Sequence, residues 1–250
     1  MDREIHIYRM KSTRLHTYHI VGMKHLRSVL VAAALALCGG AALAGVKITG
    51  SVYGGGNQAN VGETEVNIKA GEIVNAVYGG CNSEGTVSGD VTVTLTGGTV
   101  GTAPGEGEAI ADVVFGGGLG EPTLVSGNVT VNVGREKTGE ETDHVGTATI
   151  KGNVYGGSAL GNTNASKPES ALVFNADKTT TVNLYAGTIH GNAFGGGLGR
   201  HAAEGVEAVE SFVGGDVTVT LDGAKISENI FGANKNWLTK ETGKPRKRKF

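Results

Sequence analysis

Two aspartates, Asp90 and Asp216, are the first candidates for acid–base chemistry, because each directly precedes a Val-Thr-Val-Thr-Leu string. Paired carboxylates hydrolyse glycosidic bonds when they lie about 5 to 9.5 Å apart. These two aspartates share one position of an internal repeat but are three repeats apart. At ~4.8 Å per paired strand, roughly 14 Å would separate them. We therefore predict that they do not act together.

The other carboxylates cluster in insertions that interrupt the repeats. The clusters are Glu106 with Glu108; Glu140, Glu141 and Asp143; and Glu204, Glu207 and Glu210. We interpret the first two clusters as solvated surface charge. The third has i, i+3, i+6 spacing, which predicts one face of a short surface helix. None of the three clusters predicts a catalytic pair.

Histidine is scarce beyond residue 44, where His144, His190 and His201 are the only three. No Cys, Ser or carboxylate recurs beside them in the pattern of a nucleophile and its base. Gly117 to Pro122 approaches the calcium-binding string Gly-Gly-x-Gly-x-Asp, but proline stands where the liganding aspartate is needed. The Gly-x-Gly strings lack the third glycine and the helix of a dinucleotide site. We therefore predict no catalytic residues, no metal site and no cofactor.

The N-terminal region has the three parts of an export signal. A basic stretch from Met23 to Arg27 precedes an apolar run, and Ala42-Leu43-Ala44 supplies the small-x-small cleavage site before Gly45. We assign residues 23–44 to a signal peptide and residues 1–22 to an upstream extension or a misassigned start. A retained membrane anchor and lipidation at Cys38 are the alternatives, although Leu37 departs from the small residue that a lipobox needs.

Charge divides the remaining chain into two parts. Residues 45–234 contain nine Lys and Arg against 21 Asp and Glu, a net charge of −12. Residues 235–250 contain seven basic residues and one Glu. Nucleic-acid binding is driven by Lys and Arg side chains that neutralise phosphates, and an acidic body lacks this favourable contribution. We therefore exclude nucleic acid as its partner. We interpret the basic end as a disordered tail, or as the product of a truncation or a shifted frame.

The body of the chain, residues 45–234, is an internal repeat. Strings of an apolar, an aromatic and then small residues recur at intervals of 25, 37, 40, 39 and 37 residues. Their aromatic members are Tyr53, Tyr78, Phe115, Tyr155, Phe194 and Phe231. Between them lie strings that alternate apolar and polar residues, which is the pattern of a strand with one buried face. These strings end in Ile68, Leu95, Val133, Leu184 and Leu221.

The repeat predicts an all-β fold with three strands per unit. A unit of about 25 residues buries its inner face only against its neighbours, which is typical of a parallel β-helix (β-solenoid), here of about five rungs. A β-propeller-like repeat is the alternative, although each of its blades needs four antiparallel strands. A β-helix would stack the six aromatic residues in one column at ~4.8 Å spacing, whereas a propeller would distribute them around a ring.

Glycine makes up 43 of the 250 residues and recurs after each aromatic residue. We expect these glycine strings to form corners with positive φ, with Asn57, Asn82 and Asn234 adopting the same conformation where they replace glycine. Cys81 stands at a position where other units have glycine, so we interpret it as a small residue in a tight turn. As the one cysteine beyond residue 44, it has no partner for an internal disulfide.

The repeated Val-Tyr/Phe-Gly-Gly-Gly and Gly-Asp/Asn-Val-Thr-Val strings resemble the glycine-rich repeats of exported surface proteins from Bacteroides-like bacteria. They are also similar to the β-helix passengers of autotransporter-type adhesins. The resemblance covers residues 45–234, and no translocator barrel or sorting domain accompanies it. It implies export to the surface or exterior of a Gram-negative bacterium.

We therefore expect a non-enzymatic, adhesin-like surface protein that binds host or matrix carbohydrate or protein through its loops. The open ends of the stack also predict self-association. Two other functions stay open: a polysaccharide-active β-helix enzyme, and a truncated remnant of a larger surface protein.

Overall fold

The computed structural model describes residues 45–235. The predicted signal peptide, its cleavage-site residues Ala42 and Ala44, the lipidation candidate Cys38 and the tail after Lys235 lie outside these residues. The described chain is nearly all β, with one short 3-10 turn at Pro168–Ser170. Within it, no helix is long and apolar enough to span a membrane.

Three parallel sheets hold the repeated units together, and each unit contributes one strand to each sheet, except that no long strand accompanies the first turn strand and the first aromatic strand. The long-strand sheet contains Thr64–Ile68, Val91–Leu95, Val129–Val133, Thr179–Leu184 and Asp216–Leu221. The turn-strand sheet contains Lys47–Ile48, Glu72–Ile73, Thr99–Val100, Thr149–Ile150, Thr188–Ile189 and Lys225–Ile226. The aromatic sheet contains Val52–Tyr53, Val77–Tyr78, Asp112–Phe115, Asn153–Tyr155, Ala193–Phe194 and Ile230–Phe231.

Equivalent residues of successive units pair directly across these sheets. Leu95 pairs with Val133, and Val133 pairs with Leu184. In the aromatic sheet Tyr78 pairs with Phe115, and Phe115 pairs with Tyr155. The predicted all-β class is therefore confirmed, with parallel pairing between units. The propeller alternative does not agree with this pairing, because propeller blades are antiparallel.

A fourth strand occurs in three of the units, which the prediction of three strands per unit missed. These strands are Gly85–Val87, Thr123–Val125 and Asn162–Thr163, and they form a parallel corner sheet. Each is only two or three residues long and is separated from the glycine string by three or four residues. Val87 and Val125 are buried in it. From the sequence this segment would be assigned to a loop between strands. In the structure it forms a further parallel sheet between successive units.

The main core consists of the apolar positions of the alternating strings. Val91, Val93 and Leu95 are at most 1% exposed, and the equivalent residues of the third unit are fully buried. Burial of one such side chain stabilises the fold by about 1.5–3 kcal/mol. The intervening Thr and Asn residues are partly exposed on the outer face, so the period-2 pattern directly sets the inside and outside of each long strand.

A second apolar cluster lies on the outer face of the aromatic sheet. The six aromatic residues predicted from the repeat form a single column there. Their rings stack with centroids 4.8–5.0 Å apart and planes within 10° of parallel. Phe115 and Tyr155 are at most 1% exposed, because Leu119, Ala159 and Leu198 pack beside the column. The column thus binds the units together outside the valine core.

The glycine strings do not have the predicted positive φ. Among the described residues, positive φ occurs instead at glycines such as Gly98 (78°) and Gly187 (93°), in the turns after the long strands. In the strings the requirement for glycine is close approach. A Cβ on Gly116 would collide with the Gly156 carbonyl oxygen and with the Val129 side chain. Similarly, Asn57, Asn82 and Asn234 do not adopt positive φ, which falls on Gln58 and Ser83.

The predicted helix over Glu204, Glu207 and Glu210 is wrong. The segment forms an antiparallel hairpin in which Arg200 bridges Val209 and Ala203 bridges Val206. Gly205 reverses the chain with a φ of 72°. A carboxylate spacing of three residues suits a helix face, but the glycine in its centre disfavours helix and supplies the hairpin turn.

Candidate functional site

A groove runs beside the aromatic column, and we refer to it as the aromatic groove. Its volume is about 450 Å³. Its lining includes Tyr78, Asp112, Phe115, Leu119, Leu160, Leu198, Arg200, His201 and Lys235. Two features of the repeat form it. Residues after the glycine strings pair in parallel from Leu119 through Ala159 and Leu198 to Lys235, and this ladder faces the aromatic rings.

Asp112 is the carboxylate of the aromatic groove. Its Oδ1 accepts hydrogen bonds from the Tyr155 hydroxyl at 2.5 Å, from Asn153 Nδ2 at 2.7 Å and from Lys235 Nζ at 3.2 Å. A bulge makes this position possible: Asn153 pairs with Asp112 but Val154 pairs with Val114, so one residue is extra. The repeat pattern of the sequence does not predict this site. The feature of the sequence that could have indicated the site is the one residue by which this strand exceeds its partner, between Asp112 and Val114.

The phenols next to Asp112 stay neutral over a wide pH range. Burial raises the pKa of Tyr78 to about 12, and the nearby Tyr53 and Asp112 add to this effect. Burial and the Asp112 carboxylate raise the pKa of Tyr155 as well. A neutral phenol remains a hydrogen-bond donor. The groove lining therefore combines the uncharged Tyr78 phenol with the hydrogen-bonded Asp112 carboxylate, and the Tyr155 phenol is buried beneath.

Basic residues form the rim of the aromatic groove. Arg200 and His201 belong to the hairpin insertion, and Lys235 ends the ladder beside Leu198. Lys235 Nζ also lies 5.9 Å from the centre of the Phe194 ring, within cation–π range. Arg200 and Lys235 thus bring two positive charges here, one of them ion-paired with Asp112, although the body has a net charge of −12. The arrangement suits a ligand that has both an apolar face and an anionic group.

A second groove, the turn groove, has a volume of about 500 Å³ and lies near the insertion at residues 135–146. Within it His144 Nε2 lies 3.0 Å from Asp222 Oδ2, and its Nδ1 accepts a hydrogen bond from the Lys137 N–H at 3.0 Å. The ring packs 5.0 Å from Tyr185. Because Nδ1 is an acceptor, the proton of the neutral ring is on Nε2. The histidine therefore links two units, a contact that the sequence did not predict.

The aspartates first considered as a catalytic pair lie apart, as predicted. Asp90 and Asp216 begin equivalent long strands, with Asn128 and Thr179 in register between them. Asp90 Oδ1 accepts a hydrogen bond from the Asn128 N–H at 2.8 Å. Asn128 Oδ1 in turn accepts one from the Thr179 N–H at 3.0 Å. These side chains thus form a polar ladder at the N-terminal ends of the long strands.

The charged insertion clusters have local partners. Glu141 accepts two hydrogen bonds from the Arg135 guanidinium, and one of them measures 2.8 Å. This contact holds the pKa of Glu141 at about 2, well below its ordinary value. Glu108 accepts a hydrogen bond from the Gly105 N–H at 2.9 Å. His190 Nε2 lies 3.4 Å from Lys151 Nζ. These contacts order the loops.

Cys81 is buried at the glycine position of its unit, which agrees with its interpretation as a small structural residue. Its thiol lies 3.3 Å from the Ala59 carbonyl oxygen, and burial raises its pKa. A raised pKa reduces the thiolate form that reacts with electrophiles and metals. Between residues 45 and 235, no three His, Cys, Asp or Glu side chains are grouped so that they could hold a metal ion.

No protein-family model matches the chain, and comparisons with curated proteins and with solved structures found no match either.

Proposed function

We propose that the chain is a parallel β-solenoid of about five rungs that is exported and acts, without catalysis, as an adhesin-like protein at the surface of a Gram-negative bacterium. The parallel register of equivalent residues supports this architecture. The N-terminal sequence pattern supports export. The aromatic groove supports binding, and the convergence of basic side chains on it is the observation that carries the proposal.

The groove fits an acidic glycan better than a neutral one. Leu119 and Leu198 offer an apolar surface on which the C–H face of a sugar ring can pack. Arg200 and Lys235 offer donors to a carboxylate or sulfate group, and such charge-assisted hydrogen bonds are about twice as strong as neutral ones. Because the rest of the body is acidic, an anionic ligand is repelled elsewhere and attracted to this rim.

Binding also explains the groove better than glycoside hydrolysis does. Hydrolysis uses two carboxylates, one as acid and one as base or nucleophile. Asp112 is the one carboxylate in the described lining of the aromatic groove. Its Oδ1 already accepts three hydrogen bonds, from Tyr155, Asn153 and Lys235. The polysaccharide-active alternative therefore has no supporting site here.

The test is a titration of the full chain with an oligogalacturonate and with its neutral galactose counterpart. We expect binding of the acidic oligosaccharide and a loss of about tenfold or more in Arg200→Gln, because one charged hydrogen bond contributes ~1.5–3 kcal/mol. Arg135→Gln is the matched control, since it removes an arginine from an insertion outside the groove. Equal affinity for both sugars, or equal losses in both variants, would refute acidic-glycan binding.

A further inference from the structure

Both ends of the described stack expose positions that are buried in its middle. At the C-terminal end, Leu221 is 52% and Phe231 44% exposed, whereas the equivalent Leu184 is fully buried and Phe194 is 6% exposed. Within residues 45–235, the last strands of all three sheets pair on one side only. We call this surface, formed by Asp216–Leu221, Lys225–Ile226 and Ile230–Phe231, the C-terminal face. It carries unpaired backbone groups and an open section of the core.

The N-terminal end has the complementary arrangement. Among the described residues, Lys47–Ile48 and Val52–Tyr53 also pair on one side only, and we call this surface the N-terminal face. Ile48 is 39% exposed, and in this part of the chain Tyr53 stacks on one ring, that of Tyr78. All strands in the three sheets run parallel and repeat the same side-chain order. The N-terminal face of a second copy therefore offers the strand direction and apolar residues that would continue the C-terminal face.

The contact between successive units predicts the register of such a junction. Ile189 pairs with Ile226, so Ile226 would next meet Ile48 of the second copy. Phe194 stacks on Phe231 at 4.8 Å, so Phe231 would next meet Tyr53. The long-strand sheet would lack one strand at the junction, because no long strand precedes Lys47 among the described residues. The junction is thus narrower than a contact within the stack.

Charge opposes this junction. The first position of the turn strands is Glu or Thr in the four inner units and Lys at both ends. Within the stack Lys47 forms an ion pair with Glu72 at 2.9 Å. At the junction Lys225 would lie one strand spacing, ~4.8 Å, from Lys47 of the second copy. Like charges directly opposite each other destabilise strand pairing, and edge lysines limit edge-to-edge association.

We propose that the C-terminal face of one copy docks on the N-terminal face of a second copy, and that Lys225 against Lys47 keeps this contact weak and reversible. The inference rests on the proposed solenoid architecture and is independent of glycan binding. Because the two faces are different surfaces, the contact does not close on itself, and further copies add in a line. The occupant of the C-terminal face is thus another copy of this chain.

The experiment measures the mass of the full chain by analytical ultracentrifugation across a concentration series at low and high salt. We expect the mass to rise with concentration, and to rise further at high salt, because salt screens the lysine pair. Lys225→Glu should strengthen association about fivefold at low salt, since the new carboxylate would face Lys47 as Glu72 does. Lys151→Glu makes the same charge change within the stack and should leave association unchanged.

A second variant tests the apolar part of the contact. Phe231→Asp places a charge on the C-terminal face at the position that would meet Tyr53 of the second copy, and because Phe231 is already 44% exposed, folding is retained and association should be lost. This variant should still bind the acidic oligosaccharide, which separates the two proposals. A monomeric mass at every concentration in both the native chain and Lys225→Glu would overturn the inference. An equal effect of Lys151→Glu would also overturn it.

Discussion

The rings of Phe115 and Tyr155 stack with centroids 4.8 Å apart and planes 6° from parallel, although 40 residues separate them in the chain. Each ring also stacks on a neighbour on its other face. The column therefore joins successive units outside the valine core, in addition to the parallel backbone pairing of the aromatic sheet. Its inner members and its end members have different surroundings, which makes them a matched set for mutation.

Phe115→Ala should lower the free energy of unfolding by about 3–5 kcal/mol, because it removes a buried ring and leaves a cavity between two others. Phe231→Ala should cost less than about 1.5 kcal/mol, since this ring is 44% exposed and stacks on one face only. Urea unfolding of both variants measures the difference. Similar losses would contradict a column whose members stabilise the fold by burial.

Gly116→Ala should destabilise the fold by about 1–3 kcal/mol, because the added methyl group would overlap the Gly156 carbonyl oxygen. Gly232→Ala provides the control at the equivalent position of the last unit, where a Cβ would meet nothing within 4 Å. That variant should unfold at the same urea concentration as the native chain. If both substitutions were tolerated, close approach would not be the reason for glycine in these strings.

Tyr78→Phe should change how stability depends on alkaline pH. The pKa of the folded-state phenol is raised from 10.0 to about 12, so its stabilising contribution is complete below pH 10 and is lost as the pH rises through 12. At pH 11 this loss amounts to about 1 kcal/mol for the native chain. Tyr78→Phe should lack it and match the native chain at pH 7. Parallel urea titrations at the two pH values measure this difference.

The Arg135–Glu141 contact should open in acid. The pKa of Glu141 is lowered from 4.5 to about 2, so its contribution is present above pH 4.5 and is lost as the pH falls through 2. Protonation should therefore expose the insertion at residues 135–146 to an acid-active protease within this range. In Arg135→Gln the insertion should already be cleaved at pH 4.5. Cleavage that is independent of pH in both chains would count against the contact.

Export should remove the first 44 residues. The basic, apolar and Ala42-Leu43-Ala44 segments predict that protein recovered from the host envelope or medium begins at Gly45. N-terminal sequencing of that protein measures the cleavage point. A full chain beginning at Met1 or Met23 and retained in the cytoplasm would contradict the signal peptide. Ala44→Leu should block cleavage at this site, because the last signal residue must be small.

The register of the fold could be predicted from the sequence because two short strings recur in every unit. Their alternation determines which residues point inward, and a recurring aromatic residue fixes the alignment of one unit with the next. The glycine strings illustrate the limit of this reasoning. Positive φ and close approach both require glycine, so composition alone could not distinguish them, and the structure favours close approach at Gly116.

The candidate site could not be predicted in the same way. Asp112 reaches Tyr155 because of one extra residue in a strand, and Lys235 reaches Asp112 across 123 residues of chain. His144 meets Asp222 through an insertion of one unit and the turn of a later one. Each contact depends on how an insertion folds over the stack. Insertions lack the repetition that made the strands predictable.

The parallel pairing of units has a mechanical consequence. Backbone hydrogen bonds between units point along the direction in which the units stack, so a pulling force between Gly45 and Lys235 loads them in tension. A terminal unit would detach before its neighbours, because it is bonded on one side only. Each released unit of 25 to 40 residues extends the chain by roughly 80–145 Å. A tether built this way lengthens in steps and dissipates work at each one, so it yields gradually instead of breaking at once.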